Sequence, residues 1–243
     1  MAQRFKQARN RTVFARLLLP LIIVAMNVDL VYSAGSSPQE NIASRPKQLQ
    51  TIITFIREEE NKIGSYTATS QTFLRGNLQN VGYFYYKSPH LIRWEECDPY
   101  EHRLQNLLII DNQRYSLYFP SSKELHLKRW DWRAIKLADI APFVGAVVPG
   151  ETVELVGIQT IGKEPTYVLE MSGPVIGNPT AQRMVRGYFS QRTGLLVRIA
   201  DFDERKEVLH DTVFQDFKPG APLGDETFKF VPSPDVKMID ETQ

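Results

Sequence analysis

The stretch that decides the fold is Gly82-Tyr-Phe-Tyr-Tyr-Lys-Ser-Pro89, followed by Leu91-Ile-Arg-Trp94, Leu107-Leu-Ile-Ile-Asp111 and Tyr115-Ser-Leu-Tyr-Phe-Pro120. Short apolar and aromatic runs that end at turn residues predict consecutive antiparallel strands. Their apolar and aromatic content is higher than a single half-buried face of a sheet requires. We therefore expect some of these side chains to line an apolar binding surface, which the pattern favours over a catalytic cleft.

Similar segments continue on both sides of this stretch and separate at turn signals such as Arg75-Gly76-Asn77 and Arg192-Thr-Gly194. Strands at short, regular spacing predict an up-and-down antiparallel sheet, open or closed. The candidate strands are residues 66–75, 80–87, 91–96, 104–110, 114–119, 124–129, 152–159, 166–171, 183–190, 195–202, 207–217 and 227–231.

One amphipathic helix precedes the strands. It is predicted to begin near Pro46 and to end near Gly64, and we expect its apolar side to pack on the sheet. The residues that recur at helical intervals are Leu49, Ile52, Ile53, Ile56 and Ile63.

A second apolar segment, residues 131–148, interrupts the strands and carries Pro142 in its middle. Proline breaks or kinks a helix, so this segment predicts two short apolar helices. Short helices of this kind suit a lid or plug over an apolar cavity.

The N-terminus has the layout of a secretory signal peptide. Five basic residues precede an apolar run at 17–26, and small residues follow at 33–35. A membrane anchor is the alternative, but Asn27 and Asp29 stop the run short of the roughly 20 residues that a spanning helix needs. We predict cleavage between Ser33 and Gly35, with a signal peptide at 1–34, a polar tether at 35–45 and a folded domain at 46–240.

Composition narrows the class of protein. Lys and Arg total 29 against 28 Asp and Glu, and five of the basic residues lie in the signal segment, which leaves a mildly acidic mature chain. Such a balance argues against nucleic acid as a partner. The single cysteine, Cys97, cannot form an intrachain disulfide, and it does not follow the apolar run as a lipid-modified cysteine would.

Enzyme signatures are missing from the sequence. The four histidines are dispersed without metal-ligand spacing, and the chain has neither a Gly-x-Ser-x-Gly elbow nor a phosphate-binding glycine loop. Cys97 and His102 flank Pro99 in what is predicted to be a turn between strands, and the third group of a catalytic arrangement is not identified. We expect no catalytic residue, no metal and no cofactor.

The order of the motifs resembles the LolA-type periplasmic lipoprotein carriers over residues 46–240. The matching motifs are the helix, the Gly-aromatic strand, Lys87-Ser-Pro89, Leu91-Ile-Arg-Trp94, Leu107-Leu-Ile-Ile-Asp111, Tyr115-Ser-Leu-Tyr-Phe-Pro120, Asp139-Ile-Ala-Pro-Phe-Val144, Gly187-Tyr-Phe-Ser-Gln-Arg-Thr-Gly-Leu-Leu-Val197, and Phe228-Lys-Phe-Val-Pro232 with Val236 as the last strand and exit.

The resemblance implies an α+β fold. Its core is an incomplete antiparallel β-barrel, a strongly curved sheet of about eleven or twelve strands, covered by the N-terminal helix and the short proline-broken lid helix pair. It also implies a monomeric periplasmic carrier without covalent chemistry. Such a carrier binds lipoprotein acyl chains in a hydrophobic cavity, receives them from an inner-membrane releasing complex and delivers them to an outer-membrane acceptor.

The cavity residues implied by the resemblance lie on one strand pair and on the lid. Period-two alternation places the strand residues on one face of the sheet, with Tyr83 and Tyr85 on the other. Packing in an ordinary core is the alternative interpretation of the aromatic residues. The predicted ligand-binding residues are Phe84, Tyr86, Ile92, Trp94, Phe143, Ala146 and Val147.

The chain departs from the resembling family at Ser88. In that family an arginine at the matching position holds the lid closed. Whether Lys87 or Arg93 takes its place is left open, because adjacent strand residues face opposite sides. Two other functions also stay open: a carrier or sensor of a different lipid, such as a glycolipid or an acylated precursor, and a non-transporting interaction domain.

Overall fold

The computed structural model describes residues 45–89, 91–111, 114–129, 152–175, 178–203 and 205–240. Within them lie one α-helix, α1 (Arg45–Ile63), one 3₁₀ helix (Asp225–Phe228) and twelve strands. The strands are β1 (Ser65–Leu74), β2 (Asn77–Lys87), β3 (Leu91–Cys97), β4 (Leu104–Ile110), β5 (Arg114–Phe119), β6 (Glu124–Arg129), β7 (Thr152–Ile161), β8 (Glu164–Val175), β9 (Asn178–Ser190), β10 (Leu196–Phe202), β11 (Val208–Pro219) and β12 (Lys237–Asp240).

The strands form one sheet in the order β12-β6-β5-β4-β3-β2-β1-β11-β10-β9-β8-β7. Two antiparallel meanders, β1 to β6 and β7 to β11, are joined by the antiparallel pairing of β1 with β11. In the described part of the chain, β12 and β7 are the end strands and do not pair with each other. The predicted α+β fold, an incomplete curved barrel covered by a helix, is confirmed.

Helix α1 begins and ends where the sequence pattern predicts. Gly64 follows it with φ of 71° and donates its backbone N–H to the carbonyl of Glu60 at 3.0 Å. Glycine adopts this left-handed conformation without steric cost, which explains why the helix ends here. The chain then turns directly into β1.

The helix covers one face of the sheet, which we call the inner face. Ile52, Ile53 and Ile56 of α1 are buried against it in a single apolar cluster. Each such side chain contributes roughly 1.5–3 kcal/mol when it is fully buried. The cluster takes its sheet residues from both meanders, and those buried are Tyr66, Ala68, Phe84, Tyr86, Ile92, Ile110, Leu169, Met171, Val185, Phe189, Leu195, Leu196, Ile199 and Phe214.

The outer face of β3 to β6 is covered by the C-terminal segment. Phe228 of the 3₁₀ helix is buried, the ring of Phe230 lies 4.7 Å from that of Tyr118, and Arg93 donates to the carbonyl of Thr227 at 3.2 Å. β12 then pairs in parallel with β6. Of the aromatic residues that the sequence places on both faces of the sheet, Phe84 and Tyr86 are buried on the inner face, and Tyr118 contacts the C-terminal segment on the outer face.

Two sequence predictions are wrong here. The segment 227–231 is not a strand, because Phe228 closes a 3₁₀ turn against the outer face and Pro232 and Pro234 lack the N–H that a sheet ladder needs. The sheet is also not purely up-and-down, because β6 and β7 lie far apart in it and one pair is parallel.

The signal peptide, the first ten residues of the tether and the predicted lid at 131–148 lie outside the described residues. No helix within the described ranges is long and apolar enough to cross a membrane.

Candidate functional site

The four predicted strand residues share the inner face. Phe84 of β2 pairs with Trp94 of β3, and Tyr86 pairs with Ile92, so the alternation inferred from the sequence is confirmed. Tyr83 lies on the outer face and is 48% exposed. Phe143, Ala146 and Val147 lie outside the described residues.

Burial separates Trp94 from the other three. Phe84 and Ile92 are each 1% exposed and Tyr86 is also buried, whereas Trp94 is half-buried at the margin of the cluster. In this structure Phe84, Tyr86 and Ile92 therefore occupy core positions beneath α1. Trp94 is the most exposed of the four predicted strand residues.

An aromatic group surrounds these residues. The ring of Tyr66 lies 5.0 Å from that of Tyr86 and 5.8 Å from that of Phe84, and the ring of Phe214 lies 5.7 Å from that of Trp94. Burial raises the pKa of Tyr66 well above its usual value, and the negative charge of Glu60 adds to the effect. Sequence reasoning did not place Tyr66 and Phe214 in the site, because their positions depend on the register between strands. Tyr66 lies opposite Tyr86 in the pairing of β1 with β2, and the pairing of β1 with β11 brings Phe214 to the same face.

Ser88 contacts helix α1 directly. Its hydroxyl donates to Oδ1 of Asn61 at 2.8 Å, and its backbone N–H donates to the carbonyl of Gly64 at 2.7 Å. Both contacts tie the turn between β2 and β3 to the end of α1.

Lys87 and Arg93 lie on the outer face, where Lys87 donates to Asp225 at 2.6 Å and Arg93 to Glu95 at 2.6 Å. Both cations are therefore engaged on the side of the sheet opposite to Phe84. Neither side chain is placed to act for the missing arginine on the inner face.

Beyond the aromatic group the inner face becomes polar. Thr72 donates to Oε1 of Glu96 at 3.3 Å and lies 3.0 Å from the hydroxyl of Thr212, while Asn106 donates to Oε2 of Glu96 at 3.0 Å. The indole N–H of Trp94 donates to the hydroxyl of Ser70 at 3.1 Å. We call Ser70, Thr72, Glu96, Asn106 and Thr212 the polar patch.

Cys97 ends β3, and His102 lies in the turn that joins β3 to β4, as predicted. His102 donates its backbone N–H to the carbonyl of Asp98 at 3.0 Å between β3 and β4. Burial raises the pKa of the Cys97 thiol, which keeps it protonated and weakly nucleophilic. Among the residues that the structure describes, no group of three or more His, Cys, Asp or Glu side chains is arranged to hold a metal ion.

Comparison with solved structures finds similar folds. An uncharacterized conserved protein from Thermus thermophilus is 18% identical with a TM-score of 0.52, over 79% of this chain and 99% of that one. A LolA superfamily protein from Nitrosomonas europaea is 15% identical with a TM-score of 0.35, over 73% and 97%. The Mycobacterium tuberculosis lipoprotein LppX is 10% identical with a TM-score of 0.37, over 72% and 98%.

Neither the family models nor the curated proteins match the sequence. At these identities the structural likeness concerns the fold alone. A LolA superfamily protein is among the solved structures with a similar fold, and the LolA-type carriers are the family that the sequence motifs resemble.

Proposed function

We propose that this protein is a periplasmic carrier that binds the acyl chains of lipoproteins on the inner face of its sheet and shuttles them from the inner to the outer membrane. The observation that carries the proposal is the continuous apolar and aromatic inner face, built from both meanders and covered by a separate helix. A separable cover allows an acyl chain to replace it, and each buried methylene contributes about 0.8 kcal/mol.

Binding requires a change at the inner face. Phe84 and Ile92 are fully covered, so an acyl chain reaches them only if α1 or another cover moves away. The cost of uncovering the cluster offsets part of the free energy of acyl binding, and this offset permits release to an acceptor. Trp94, at the exposed margin, is the expected point of entry.

The route follows from the same proposal. Signal peptide 1–34 directs export to the periplasm, an inner-membrane complex loads the cargo, and an outer-membrane acceptor receives it from the monomeric carrier. Cell fractionation tests the first step: the mature chain is expected in the periplasmic fraction. A full-length chain that stays in the membrane pellet after an alkaline wash would contradict it.

The binding test uses two substitutions of equal chemistry on opposite faces. Trp94→Glu places a charge at the margin of the inner face and is expected to lower affinity for a fluorescent acyl probe at least tenfold. Tyr83→Glu places the same charge on the outer face and is expected to leave affinity unchanged. Equal probe binding by the two folded variants would contradict the proposed site.

A non-transporting interaction domain is the second candidate. Strand β7 ends the sheet in the described part of the chain and exposes Val156 and Ile158, at 51% and 68%. An end strand with exposed apolar side chains favours pairing with another protein.

Mass spectrometry of the protein purified from its native envelope separates the two functions. Bound lipid supports the carrier, and its mass identifies the class of lipid, including a glycolipid or an acylated precursor. Lipid-free protein supports the interaction domain.

A further inference from the structure

The inner face changes from apolar to polar at one register across four strands. Ala68, Phe84, Trp94 and Leu108 form a cross-strand row on β1 to β4, and two residues further along the strands lie Ser70, Gly82, Glu96 and Asn106. Two residues of a strand span about 6.8 Å. The boundary between the two rows is therefore sharp and continuous, although each strand contributes only one residue to each side of it.

Trp94 lies on this boundary in the orientation that an amphipathic side chain takes at an interface. Its ring packs against Phe214 in the aromatic group, and its N–H donates to Ser70 of the polar patch. Gly82 makes this contact possible, because a Cβ there would lie 2.5 Å from the Ser70 hydroxyl and 3.1 Å from the indole nitrogen.

The polar patch lies away from the contacts that hold α1. The helix is fixed near the other end of β1 and β2, where Asn61 accepts a hydrogen bond from Ser88, and at the turn between β9 and β10, where Gly194 approaches Ile56. Ser70, Thr72 and Thr212 are buried nonetheless, and even hydrogen-bonded hydroxyls contribute less to stability than apolar side chains would at the same buried positions. A polar network at this cost indicates a role other than packing.

Glu96 is the charged centre of the patch. It accepts one hydrogen bond on each carboxylate oxygen, from Thr72 and from Asn106, whereas a carboxylate has about four acceptor positions. A ligand group that carries N–H donors and positive charge fits these surroundings better than an anionic one.

We propose that the polar patch binds the head group of the acylated ligand, with Glu96 accepting hydrogen bonds from a primary ammonium group while the acyl chain lies on the apolar rows beyond Trp94. This inference rests on the proposed function, since it assigns the orientation and the head-group chemistry of a ligand on the same inner face. An ammonium next to an acyl chain has two sources: the ethanolamine head of a phospholipid, and the α-amino group of a diacylated N-terminal cysteine.

The first experiment compares two lipids that differ only at the nitrogen. Palmitoyl lysophosphatidylethanolamine has three N–H donors, and palmitoyl lysophosphatidylcholine has the same charge with no donor. Each competes with a fluorescent acyl probe for the mature protein below its critical micelle concentration. The ethanolamine lipid is expected to bind about tenfold more tightly, the size of one charge-assisted hydrogen bond. Equal affinities, with the probe itself bound normally, would overturn this inference.

Two variants locate the preference. Glu96→Gln is expected to reduce it below about threefold, because the charged acceptor is lost. Glu95→Gln removes the same charge from the adjacent residue, which faces outward and pairs with Arg93, and is expected to keep the preference. A preference retained in Glu96→Gln would overturn the assignment to Glu96. If a variant does not fold, the affinities of the unmutated protein for the ethanolamine and choline lipids still test the proposal.

A second pair of ligands distinguishes the sources. Dipalmitoylglyceryl-cysteine peptides with a free and with an acetylated α-amino group compete for the same probe. Preference for the free amine assigns the patch to a diacylated lipoprotein, and preference confined to the ethanolamine lipid assigns it to a phospholipid. Equal binding within both pairs would overturn the inference while leaving the carrier intact. Failure of every acyl probe to bind would instead overturn the proposed function.

Discussion

A helix from the N-terminal end of the domain covers the inner face of the sheet, and a segment from the C-terminal end covers the outer face of β3 to β6. The second cover adds exposed ion pairs to its apolar contacts. Helix α1 covers the inner face with buried isoleucines. The C-terminal segment covers the outer face with buried Phe228 and with ion pairs of Lys87 with Asp225 at 2.6 Å and Lys123 with Asp235 at 2.5 Å. At the edge of the sheet, Lys237 of β12 pairs with Glu124 of β6 at 2.9 Å.

This difference indicates which of the two covers is sensitive to salt and pH. Apolar burial is not screened by salt and does not titrate with pH, whereas exposed ion pairs are screened by salt and contribute about 0–1 kcal/mol each. We therefore expect the inner cover to separate only when a ligand or a partner supplies apolar contacts in exchange. The outer cover should loosen gradually with acid or salt, with buried Phe228 as its apolar anchor.

The largest effect is expected for Ile56→Ala. Ile56 is fully buried between α1 and the sheet, and truncating a buried isoleucine costs about 2–5 kcal/mol. The free energy of unfolding from denaturant titration measures the loss. Thr54→Ala, on the exposed side of the same helix, should change stability by less than about 0.5 kcal/mol. Similar losses in both variants would mean that α1 is not the main apolar cover.

Gly194→Ala should perturb the inner cover from the sheet side. Gly194 has φ of 68°, and an added Cβ would lie 3.0 Å from Cβ of Glu59 and 3.2 Å from Cα of Ile56. Gly162→Ala is the matched control, with φ of 60° and open space around it, and should cost about 1–2 kcal/mol for the backbone alone. Overpacking should add about 1–3 kcal/mol in Gly194→Ala. Equal losses in the free energy of unfolding of the two variants would show that α1 shifts to accommodate the added methyl group.

Acid should loosen the outer cover before the inner one. Lys123 and Ser233 lower the pKa of Asp235 to about 2, and Lys87 lowers that of Asp225. A lowered folded-state pKa gives stabilisation that is present above the unfolded value of about 4 and is lost as the pH falls through the folded value. The protection factors of the amides in Lys237–Asp240 should therefore fall between pH 4 and about 2, while those of β1 and β2 stay high. Simultaneous loss of protection in β12 and β2 would contradict the separation of the two covers.

The smallest effect is expected for Lys87→Met, which removes one ion pair of the outer cover. The pair is largely exposed at Asp225, so the loss should stay below about 1 kcal/mol and vanish at high salt. Lys62→Met removes the pair with Glu59 within α1 and gives a reference for an exposed pair, at about 0.3–0.5 kcal/mol. A loss above about 2 kcal/mol would mean that the ion pairs, rather than Phe228, anchor the outer cover.

Much of the site was accessible from the sequence because alternation is a local property. Phe84 and Tyr86 are two residues apart on β2, and so are Ile92 and Trp94 on β3. In an antiparallel hairpin with this turn, all four side chains therefore lie on the same face. The same rule places Lys87 and Arg93 opposite to them. The polar patch was missed, because Ser70, Glu96 and Asn106 lie on three strands and become one row only through the register.

The sequence by itself determined the elements of this protein: the extent of α1 and its end at Gly64, most strands, their turns, and which residues of each strand face together. These depend on backbone conformations and on periodicities of a few residues. Only the tertiary structure decided that β1 joins β11, that β12 runs parallel to β6, and that the C-terminal segment covers the outer face. These contacts join residues more than 100 positions apart, and their choice depends on which exposed edge and which apolar face remain uncovered once the local elements have formed.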